Sequence, residues 1–489
     1  MKNPRRFALP SLGLLALAAS ATVAAAPAAS AATTPPVIAI AATTTGTALS
    51  GSSPGLSFEA SDLADPGFTS GNLASYLKTL GTSVMRIGGN TVDETFWTST
   101  GATAPSWASA TITPADLTAL AKVTAASGWK VILGVNLKEY NPAGAADEAK
   151  YAAAALGSSL QAIEIGNEPN LYSKYESDPG QFFPDFQAYV SAIKQAAPGV
   201  SIEGDDDGAA PNGSFQNSFV ADESALSSPD IVELTSHNYP LTSSTCGGNP
   251  TIPELLGTSS RDEENNTAQE AVTAAGELGV PAVLDEGNSV VCEGQAGVSN
   301  VYAAALWEVD DQLVTARAGV EGDYMHGTVI QCNSAKPLFM YYTPLCAPTA
   351  ADATAGILAA QPEYYGLAAV HEIGTGEFLN LSNPDWAAVR AYAIQHTNGT
   401  VTVVLDDVQD PASNGSSTLQ LDFGQSFTTG SSFSLSAPAL TSTTGITLGG
   451  QSVQSNGTLA APQTTPVSVD GSTLTVTVPA GSTTIMTLG

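Results

Sequence analysis

The sequence predicts an α/β fold in which a (β/α)8 TIM barrel is joined to an additional antiparallel β-sandwich domain. From about residue 56 to residue 366, short β-like runs alternate with Ala-rich helical stretches, which is typical of βα units around a parallel sheet. From about residue 373 onward, Thr/Val alternation is interrupted by Gly, Ser and Asn turns, which is typical of an antiparallel sandwich. The 489 residues are also too many for one typical core.

The first 31 residues are expected to be a cleaved signal peptide. Lys2, Arg5 and Arg6 precede an apolar run over residues 14–26, and the small residues at 29–31 fit a cleavage site. A membrane anchor is the weaker alternative, because the apolar run is short and rich in alanine. The mature protein is therefore expected to be secreted and extracellular.

The catalytic barrel is predicted over residues 51–370. Its eight candidate strands lie in the sequences GLSFEA, SVMRIGG, KVILGVN, IEIGN, SIEGD, IVELTSH, PAVLDEG and GDYMHG. Helices are predicted between them, among others over residues 73–80, 114–126, 187–197, 268–278 and 300–318. Eight strands of this kind are the number that closes a (β/α)8 barrel.

The sandwich domain is predicted over residues 371–489. Its strands lie in segments such as TVTVVLDD, STLQLDFG, GSTLTVTVPAG and STTIMTLG, where side chains alternate between polar and apolar. Residues 32–50 contain the segment PVIAIAATTTGTALS, which has the same composition. These N-terminal residues are therefore expected to add strands to the sandwich, which would make that domain discontinuous.

The acidic charge limits the classes of partner. The formal net charge is −31, and the chain contains 15 Lys and Arg residues. Nucleic acids, anionic membranes and polysulfated glycans require basic patches, so these partners are not expected. Solubility explains the acidity best, and a monomer is expected.

Four cysteines are expected to form disulfides in an exported chain. Cys332 and Cys346 bracket a short loop and are the preferred pair, which leaves Cys246 with Cys292. Because no CxxC or HExxH spacing is present, a zinc site is disfavoured, and neither a metal nor a cofactor is expected.

Acidic residues stand where two predicted strands end. Glu168 follows the strand in AIEIGNEPN, and both Asp285 and Glu286 stand in PAVLDEGNS. The carboxyl ends of the strands of a TIM barrel meet at the active site, so these acids are catalytic candidates. Hydrolysis of a glycoside with retention requires two carboxyl groups about 5 Å apart. Successive residues of a strand point to opposite faces, so only one of Asp285 and Glu286 is expected to face the barrel mouth.

Several stretches of the sequence resemble glycoside hydrolase family 79, the β-glucuronidase and heparanase family, and they occur in the order found in that family. GNEP itself looks like the acid/base strand found throughout clan A of the glycoside hydrolases. The further stretches are FEASDLADPGF (58–68), RIGGNTVDETFW (86–97), VILGVN (131–136), SHNYP (236–240) and DEGNSVVCEGQAGVSNVYAAALWEVDDQLVTARAGV (285–320). The resemblance implies a retaining mechanism with Glu168 as the acid/base, Glu286 as the nucleophile and Asp285 in a supporting role.

The same resemblance implies a set of substrate-binding residues. Asn167 matches the asparagine that contacts the sugar 2-hydroxyl, and Glu59 matches a barrel acid that touches sugar hydroxyls. Asn90 follows the RIGG strand at another sugar-contacting position. Tyr239 matches a tyrosine beside the nucleophile, and Tyr342 is the candidate for contact with the carboxylate of a uronic acid.

Other polar and aromatic residues have two interpretations each. Arg86 could bind a uronate or tie neighbouring carboxylates together, and His237 could orient Tyr239 but is expected to pack. The segment EGDDDGAAPNG (203–213) is expected to be a solvated turn rather than a calcium loop. Core packing is favoured over sugar stacking for three tryptophans, Trp97, Trp107 and Trp307.

The leading hypothesis is an exported, retaining, exo-acting β-glucuronidase. Its expected substrate is a glycan or small glucuronide that ends in glucuronic acid or 4-O-methylglucuronic acid. An endo-acting heparanase is disfavoured, because basic clusters are missing and the loop GNSVVCEGQ lacks the aromatic residue of that branch. The alternatives are a clan A glycosidase acting on a neutral sugar and a catalytically silent glycan-binding protein.

Overall fold

A computed structural model describes residues 35–208, 213–335, 339–386, 388–469 and 471–489 of the chain. The predicted signal peptide, residues 1–31, lies outside the described residues. Within the described ranges, none of the helices combines the length and the apolar character needed to cross a membrane.

Eight parallel strands close into a barrel, which confirms the predicted (β/α)8 architecture. Strand β1 (Val37–Leu49) precedes the barrel. The barrel strands are β2 (Gly55–Glu59), β3 (Val84–Gly88), β4 (Lys130–Val135), β5 (Leu160–Ile165), β6 (Ile202–Asp207), β7 (Ile231–Asn238), β8 (Ala282–Gly287) and β9 (Gly322–Gly327). They pair in chain order, and β9 closes the ring on β2. All eight carboxyl ends therefore meet at one mouth.

The helices that cover the barrel are longer than the predicted ones in two places. The main helices are α1 (Leu73–Thr79), α2 (Pro114–Ser127), α3 (Pro142–Leu156), α4 (Phe182–Ala196), α5 (Ser214–Ser224), α6 (Thr258–Leu278), α7 (Tyr302–Ala318) and α8 (Pro362–Ile373). The predictions for α4 and α6 began five and ten residues too late. The first turn of α6 looks polar in the sequence, but Glu264 is buried there and accepts a hydrogen bond from Trp307 Nε1 at 2.6 Å.

The second domain is one hydrogen-bonded sheet of 11 strands. Besides β1, its longer strands are β10 (Gly376–Ser382), β11 (Val389–Gln395), β12 (Val401–Asp407), β13 (Ser417–Phe427), β14 (Gly430–Ser436), β15 (Gly471–Val478) and β16 (Ser482–Leu488). β1 pairs antiparallel with β10 and parallel with β13, so the sheet is mixed at this point. The N-terminal strand thus belongs to the domain that is otherwise built from the C-terminal part of the chain.

The sheet folds over to enclose its own core. Leu474 of the edge strand β15 shares this core with Val403 and Met486, which lie on strands far from β15 in the sheet order. Along β11, Ala391 and Ala393 face this core, whereas Tyr392 and Ile394 belong to the core shared with the barrel. Alternate side chains of this strand therefore pack into two different hydrophobic cores.

Helix α7 lies between the barrel and the sheet and is almost completely buried. At this interface Asp310 accepts a hydrogen bond from Arg390 Nη1 and one from the Tyr392 hydroxyl, both at 2.6 Å. Tyr302, at the start of α7, donates to the Leu435 carbonyl at 3.1 Å. The interface therefore contains a buried ion pair with its hydrogen bonds largely satisfied.

Candidate active site

The mouth of the barrel brings together the two predicted catalytic carboxylates, Glu168 and Glu286. One carboxylate oxygen of each, together with a ring nitrogen of His237, lies within 4.8 Å of the others. This separation matches retaining glycosidases, whose carboxyl groups are about 5–5.5 Å apart, and is shorter than the roughly 6.5–9.5 Å of inverting enzymes. The pair therefore has room for a sugar carbon between the carboxyl groups, but not for a sugar and an attacking water together.

The backbone delivers Glu168 to the mouth through a sharp turn after β5. Glu168 has a φ of 46°, in the left-handed region, and its N–H donates to Asp206 Oδ2 at 3.0 Å. Pro169 then starts a short 3-10 turn. Opposite, Gly208 has no side chain because a Cβ there would lie 2.3 Å from Glu168 Oε1.

Cations and a phenol surround the carboxylate of Glu286. Arg86 Nη1 donates to its Oε2 at 2.7 Å, and the Tyr239 hydroxyl donates to its Oε1 at 2.9 Å. Burial alone would raise the pKa of Glu286, but the positive charges of His326, His237 and Arg86 outweigh it and hold this pKa well below its usual range. Glu286 is therefore ionised at working pH, as a nucleophile must be.

His237 connects Glu168 to the interior of the barrel. Its Nδ1 lies 3.0 Å from Glu168 Oε1, and its Nε2 lies 2.9 Å from Asp206 Oδ1. Burial would lower the pKa of His237, but the carboxylates of Glu286 and Asp206 raise it well above its usual value. The ring is therefore an imidazolium that donates from both nitrogens. The expectation that His237 simply packs was wrong, because its two acidic neighbours come from distant parts of the chain.

Arg86 ties acids from three barrel strands together. Its guanidinium is completely buried, and the side chain is 0% exposed. The hydrogen-bond acceptors of this guanidinium are Glu164, Asn167, Asp206, Glu286 and Ser57. Of its two interpretations, the structural tie is the one observed. With every guanidinium nitrogen engaged, Arg86 has no donor left for a uronate.

Asp285 and Glu286 both face the inside of the barrel, contrary to the prediction that only one would. Asp285 Oδ2 lies 3.5 Å from Arg86 Nε, and Glu286 binds the same guanidinium. The pairing of β8 with both neighbours shifts register after Leu284. Such a bulge interrupts the alternation of side chains, which explains the difference. Burial and the charge of Asp206 raise the pKa of Asp285, so this acid is protonated.

The predicted substrate-binding residues line the same mouth. The carboxylate of Glu59 accepts two hydrogen bonds from Thr91, and its Oε1 lies 3.5 Å from His326. Asn90 is exposed, and its Oδ1 lies 3.5 Å from Asn167 Nδ2.

Two predicted tyrosines lie next to each other at the same site. The ring centroids of Tyr239 and Tyr342 are 6.0 Å apart, and His326 lies 6.3 Å from Tyr342. Tyr342 is buried, whereas Tyr239 is half-buried. The structure thus brings all seven predicted catalytic and substrate-binding residues to the mouth of one barrel.

Asp206 and His326 are site residues that sequence reasoning missed. Asp206 lies in the segment 203–213, which was predicted to be a solvated turn. That prediction was wrong for residues 203–207, because they belong to β6 and its acids are buried inside the barrel. Residues 209–212 of the segment lie outside the described residues. The available signal was position, since Asp206 and His326 both stand near the carboxyl end of a barrel strand.

Two disulfides join loops at this mouth. Cys246 and Cys292 connect the loops that follow β7 and β8, and Cys332 and Cys346 close a loop after β9. Leu241 and Thr242 also pair with Val290 and Val291 in a two-stranded sheet. The loops that flank the nucleophile are therefore tied to one another covalently and by the backbone.

Among the described residues, three groups of carboxylates and histidine have oxygens and nitrogens close enough to hold a metal ion. All three draw on acids that Arg86 or His237 already neutralises.

Comparison with known proteins agrees with this geometry. Residues 391–485 match the glycosyl hydrolase family 79 C-terminal beta domain. A curated relative, the β-glucuronidase of Neurospora crassa, is 26% identical over 310 residues, which are 58% of this chain and 52% of the relative. The matched part of the chain thus spans about half the length of that curated relative.

Solved structures share the fold. The alignment with the 4-O-α-L-rhamnosyl-β-D-glucuronidase of Fusarium oxysporum 12S covers 92% of this chain and 100% of the Fusarium chain, with 24% identity and a TM-score of 0.74. The alignment with the family 51 arabinofuranosidase of Xanthomonas axonopodis pv. citri covers 93% of this chain and 99% of the Xanthomonas chain, with 15% identity and a TM-score of 0.63. Together with the matching C-terminal domain and the curated relative, these findings agree with the resemblance seen in the motifs: the chain is similar to proteins of glycoside hydrolase family 79.

Proposed function

We propose that this protein is a secreted, retaining, exo-acting β-glucuronidase that releases terminal glucuronic acid or 4-O-methylglucuronic acid. The observation that carries the proposal is the pair Glu168 and Glu286, whose oxygens approach within 4.8 Å at the barrel mouth. The names of the Neurospora and Fusarium relatives support the choice of sugar. The basic and apolar residues at the N-terminus support export.

In the first step, an oxygen of Glu286 attacks the anomeric carbon while the bond from this carbon to the leaving oxygen breaks. Glu168 gives its proton to that oxygen, so the aglycone departs as a neutral alcohol. The product is a glycosyl ester on Glu286. The low pKa of Glu286 keeps the attacking group ionised, and Tyr239 and Arg86 hold it in place.

In the second step, Glu168 acts as a base and takes a proton from water, whose oxygen attacks the anomeric carbon from the side of the departed aglycone. The ester bond breaks, Glu286 regains its charge, and the sugar leaves with its β configuration retained. His237 Nδ1 lies 3.0 Å from Glu168 Oε1 and holds this carboxyl group in position for both steps.

Sugar recognition is assigned to the remaining residues of the mouth. Asn167 contacts the sugar 2-hydroxyl. Glu59 accepts hydrogen bonds from other ring hydroxyls, and Asn90 accepts hydrogen bonds from them or donates to them. The Tyr342 hydroxyl is assigned to the uronate carboxylate, because Arg86 is fully engaged with protein acids and the Tyr239 hydroxyl donates to Glu286. Phenol donors bind a carboxylate without a full countercharge, which suits an acidic protein that must also release an acidic product.

The decisive experiment is a panel of aryl β-glycosides with the product anomer followed by NMR. We expect turnover of the glucuronide with β-glucuronic acid as the first product, and no turnover after Glu286→Ala. Glu168→Gln is expected to lose far more activity on substrates with poor leaving groups than on activated aryl glucuronides, because only the former need a proton.

Three outcomes would contradict the proposal. Turnover of a neutral glycoside in place of the glucuronide would favour the neutral-sugar alternative. Full activity of Glu286→Ala would contradict the mechanism. Binding of a glucuronide without any turnover would favour the silent glycan-binding alternative.

A further inference from the structure

A cleft outside the catalytic pair lies between the loop after β3 and the start of α3. It is open to solvent, and its cavity volume is about 60 Å³. Its lining includes Phe96, Trp97, Trp107, Asn136, Glu139 and Glu148. Aromatic rings combined with a few polar groups are the usual composition of a small-ligand site.

The aromatic rings in this cleft are not ordinary core residues. Phe96, Trp97 and Trp107 are each only partly buried. The rings of Phe96 and Trp107 meet edge to face at 6.0 Å, and Trp97 donates its indole N–H to Asp147 at 2.9 Å. The cluster is therefore held in position while part of its ring surface remains in contact with water. The expectation of core packing holds for Trp307 and in part for Trp97, which is half-buried against the main core, but not for Trp107.

Glu148 provides a second, independent observation. It is 5% exposed and lines the cleft, and within the described part of the chain its carboxyl group makes no hydrogen bond or ion pair. A ligand with hydroxyl groups would therefore meet this carboxyl group without a competing protein partner. Burial, with a smaller effect from Asp147, raises the pKa of Glu148 to about 8. The group is thus a neutral carboxylic acid that can both donate and accept.

The cleft is connected to the catalytic site by a chain of contacts. Asn136, in its lining, donates to the Asp93 carbonyl at 3.0 Å. The Asp93 carboxylate accepts a hydrogen bond from Tyr172, and the Tyr172 hydroxyl lies 3.4 Å from the backbone nitrogen of Asn167. Asn167 directly precedes the acid/base Glu168. These contacts lead from the lining of the cleft to the residue beside the proposed acid/base.

We propose that this cleft is an accessory subsite for a neutral pyranose of the glycan that carries the glucuronic acid. A pyranose has an apolar face for the rings of Trp97 and Trp107, and hydroxyl groups for Glu148 and Asn136. The acids Glu139, Asp147 and Glu148 disfavour a second uronic acid or a sulfated sugar at this place. The proposal rests on the proposed glucuronidase function for its kinetic consequences, but not for binding itself.

The neutral sugar could be attached in two ways, and two substrates distinguish them. One is a disaccharide in which glucuronic acid is β-linked to a neutral sugar. The other is an aryl glucuronide whose 4-hydroxyl carries a neutral sugar, the linkage in the name of the Fusarium relative. The kcat/KM of each is compared with that of the simple aryl glucuronide. The ratio is the kcat/KM of a glycosylated substrate divided by that of the simple aryl glucuronide. We expect Trp107→Ala to lower this ratio about tenfold for one of the two glycosylated substrates, equivalent to about 1.4 kcal/mol.

Two matched variants test the origin of the effect. Trp386→Ala removes another half-buried tryptophan in the β domain and should leave both ratios at the parent values. Glu148→Met keeps the length of the side chain but removes its donor and acceptors, and should lower the same kcat/KM as Trp107→Ala. If Trp107→Ala changes neither ratio, or changes both by no more than Trp386→Ala does, the proposal is wrong.

Binding gives a readout that does not depend on turnover. Neutral xylo- and galacto-oligosaccharides are titrated into the Glu286→Gln protein, and tryptophan fluorescence is recorded. We expect a saturable change that Trp107→Ala abolishes and Trp386→Ala preserves. No saturable change with either series would overturn the subsite. If the fluorescence change is saturable but the parent protein turns over no glucuronide, the proposed function alone would be overturned.

Discussion

Asp206 Oδ1 lies 2.9 Å from His237 Nε2, inside a barrel where both side chains are buried. The same carboxylate binds Arg86 Nη2 at 2.9 Å and accepts the backbone N–H of Glu168 at 3.0 Å. Arg86 binds Glu286, and His237 contacts Glu168. One carboxylate thus connects both members of the proposed catalytic pair.

Replacement of Asp206 by Asn should therefore impair catalysis through its neighbours. Asn cannot neutralise His237, so the pKa of the imidazolium should fall and the alkaline limb of the activity profile should move to lower pH. We expect kcat to fall about 10- to 100-fold, the range of effects of single positioning groups. The measurement is kcat/KM against pH, with a thermal melt to establish folding. A folded variant with an unchanged profile would show that Asp206 has no such role.

Replacement of Arg86 by Lys should act on the nucleophile. Lysine cannot fill the planar fork of a guanidinium, so several buried acids would lose their partner. We expect the pKa of Glu286 to rise and the acidic limb of kcat/KM to move to higher pH, with a loss of stability of about 3–5 kcal/mol. Urea unfolding and the pH profile together check this. An acidic limb that stays in place would show that Arg86 does not depress the pKa of Glu286.

Stability should decline as the pH rises through 7. Burial raises the pKa of Glu148 to about 8 and those of Asp62 and Asp406 to about 7, each far above the value near 4 in an unfolded chain. The folded state therefore binds more protons in this range, and its extra stability is lost as pH rises through these pKa values. We expect the melting temperature to fall between pH 6 and pH 8.

The contribution of Glu148 to this loss of stability can be measured separately. Glu148→Gln should flatten the decline between pH 6 and pH 9, because the amide does not titrate. Glu277→Gln, on an exposed position of α6, is the matched control and should leave the slope unchanged. Equal slopes in parent, variant and control would mean that Glu148 titrates normally in the folded protein.

The interface between the barrel and the sheet should depend on Arg390. Arg390→Ala removes a partner 2.6 Å from the buried Asp310, although Arg261 and Tyr392 still contact that acid. We expect a loss of about 3 kcal/mol in the free energy of unfolding in urea. The double variant Arg390→Ala with Asp310→Asn should recover part of it, because no buried charge then remains unpaired. A loss that is the same in both variants would assign the effect to packing.

The sequence by itself determined the architecture and the chemical core of the site. Strand and helix periods are local, so eight strand-like runs and a later change to Thr/Val alternation were enough to predict the barrel and the sheet. Glu168 and Glu286 could be found because each stands beside a strand end in a recognisable motif. The preferred cysteine pair could be predicted because its two members lie close together in the chain.

The tertiary structure alone decided how the charges are shared. Asp206 stands in a run of acids that looks solvated in the sequence, and only barrel closure places it between Arg86 and His237. The bulge in β8 turns Asp285 inward, against the alternation that its position predicts. Burial and electrostatic pairing depend on atoms from segments far apart in the chain. The motifs therefore singled out Glu168 and Glu286, and the fold determined which charged residues surround them.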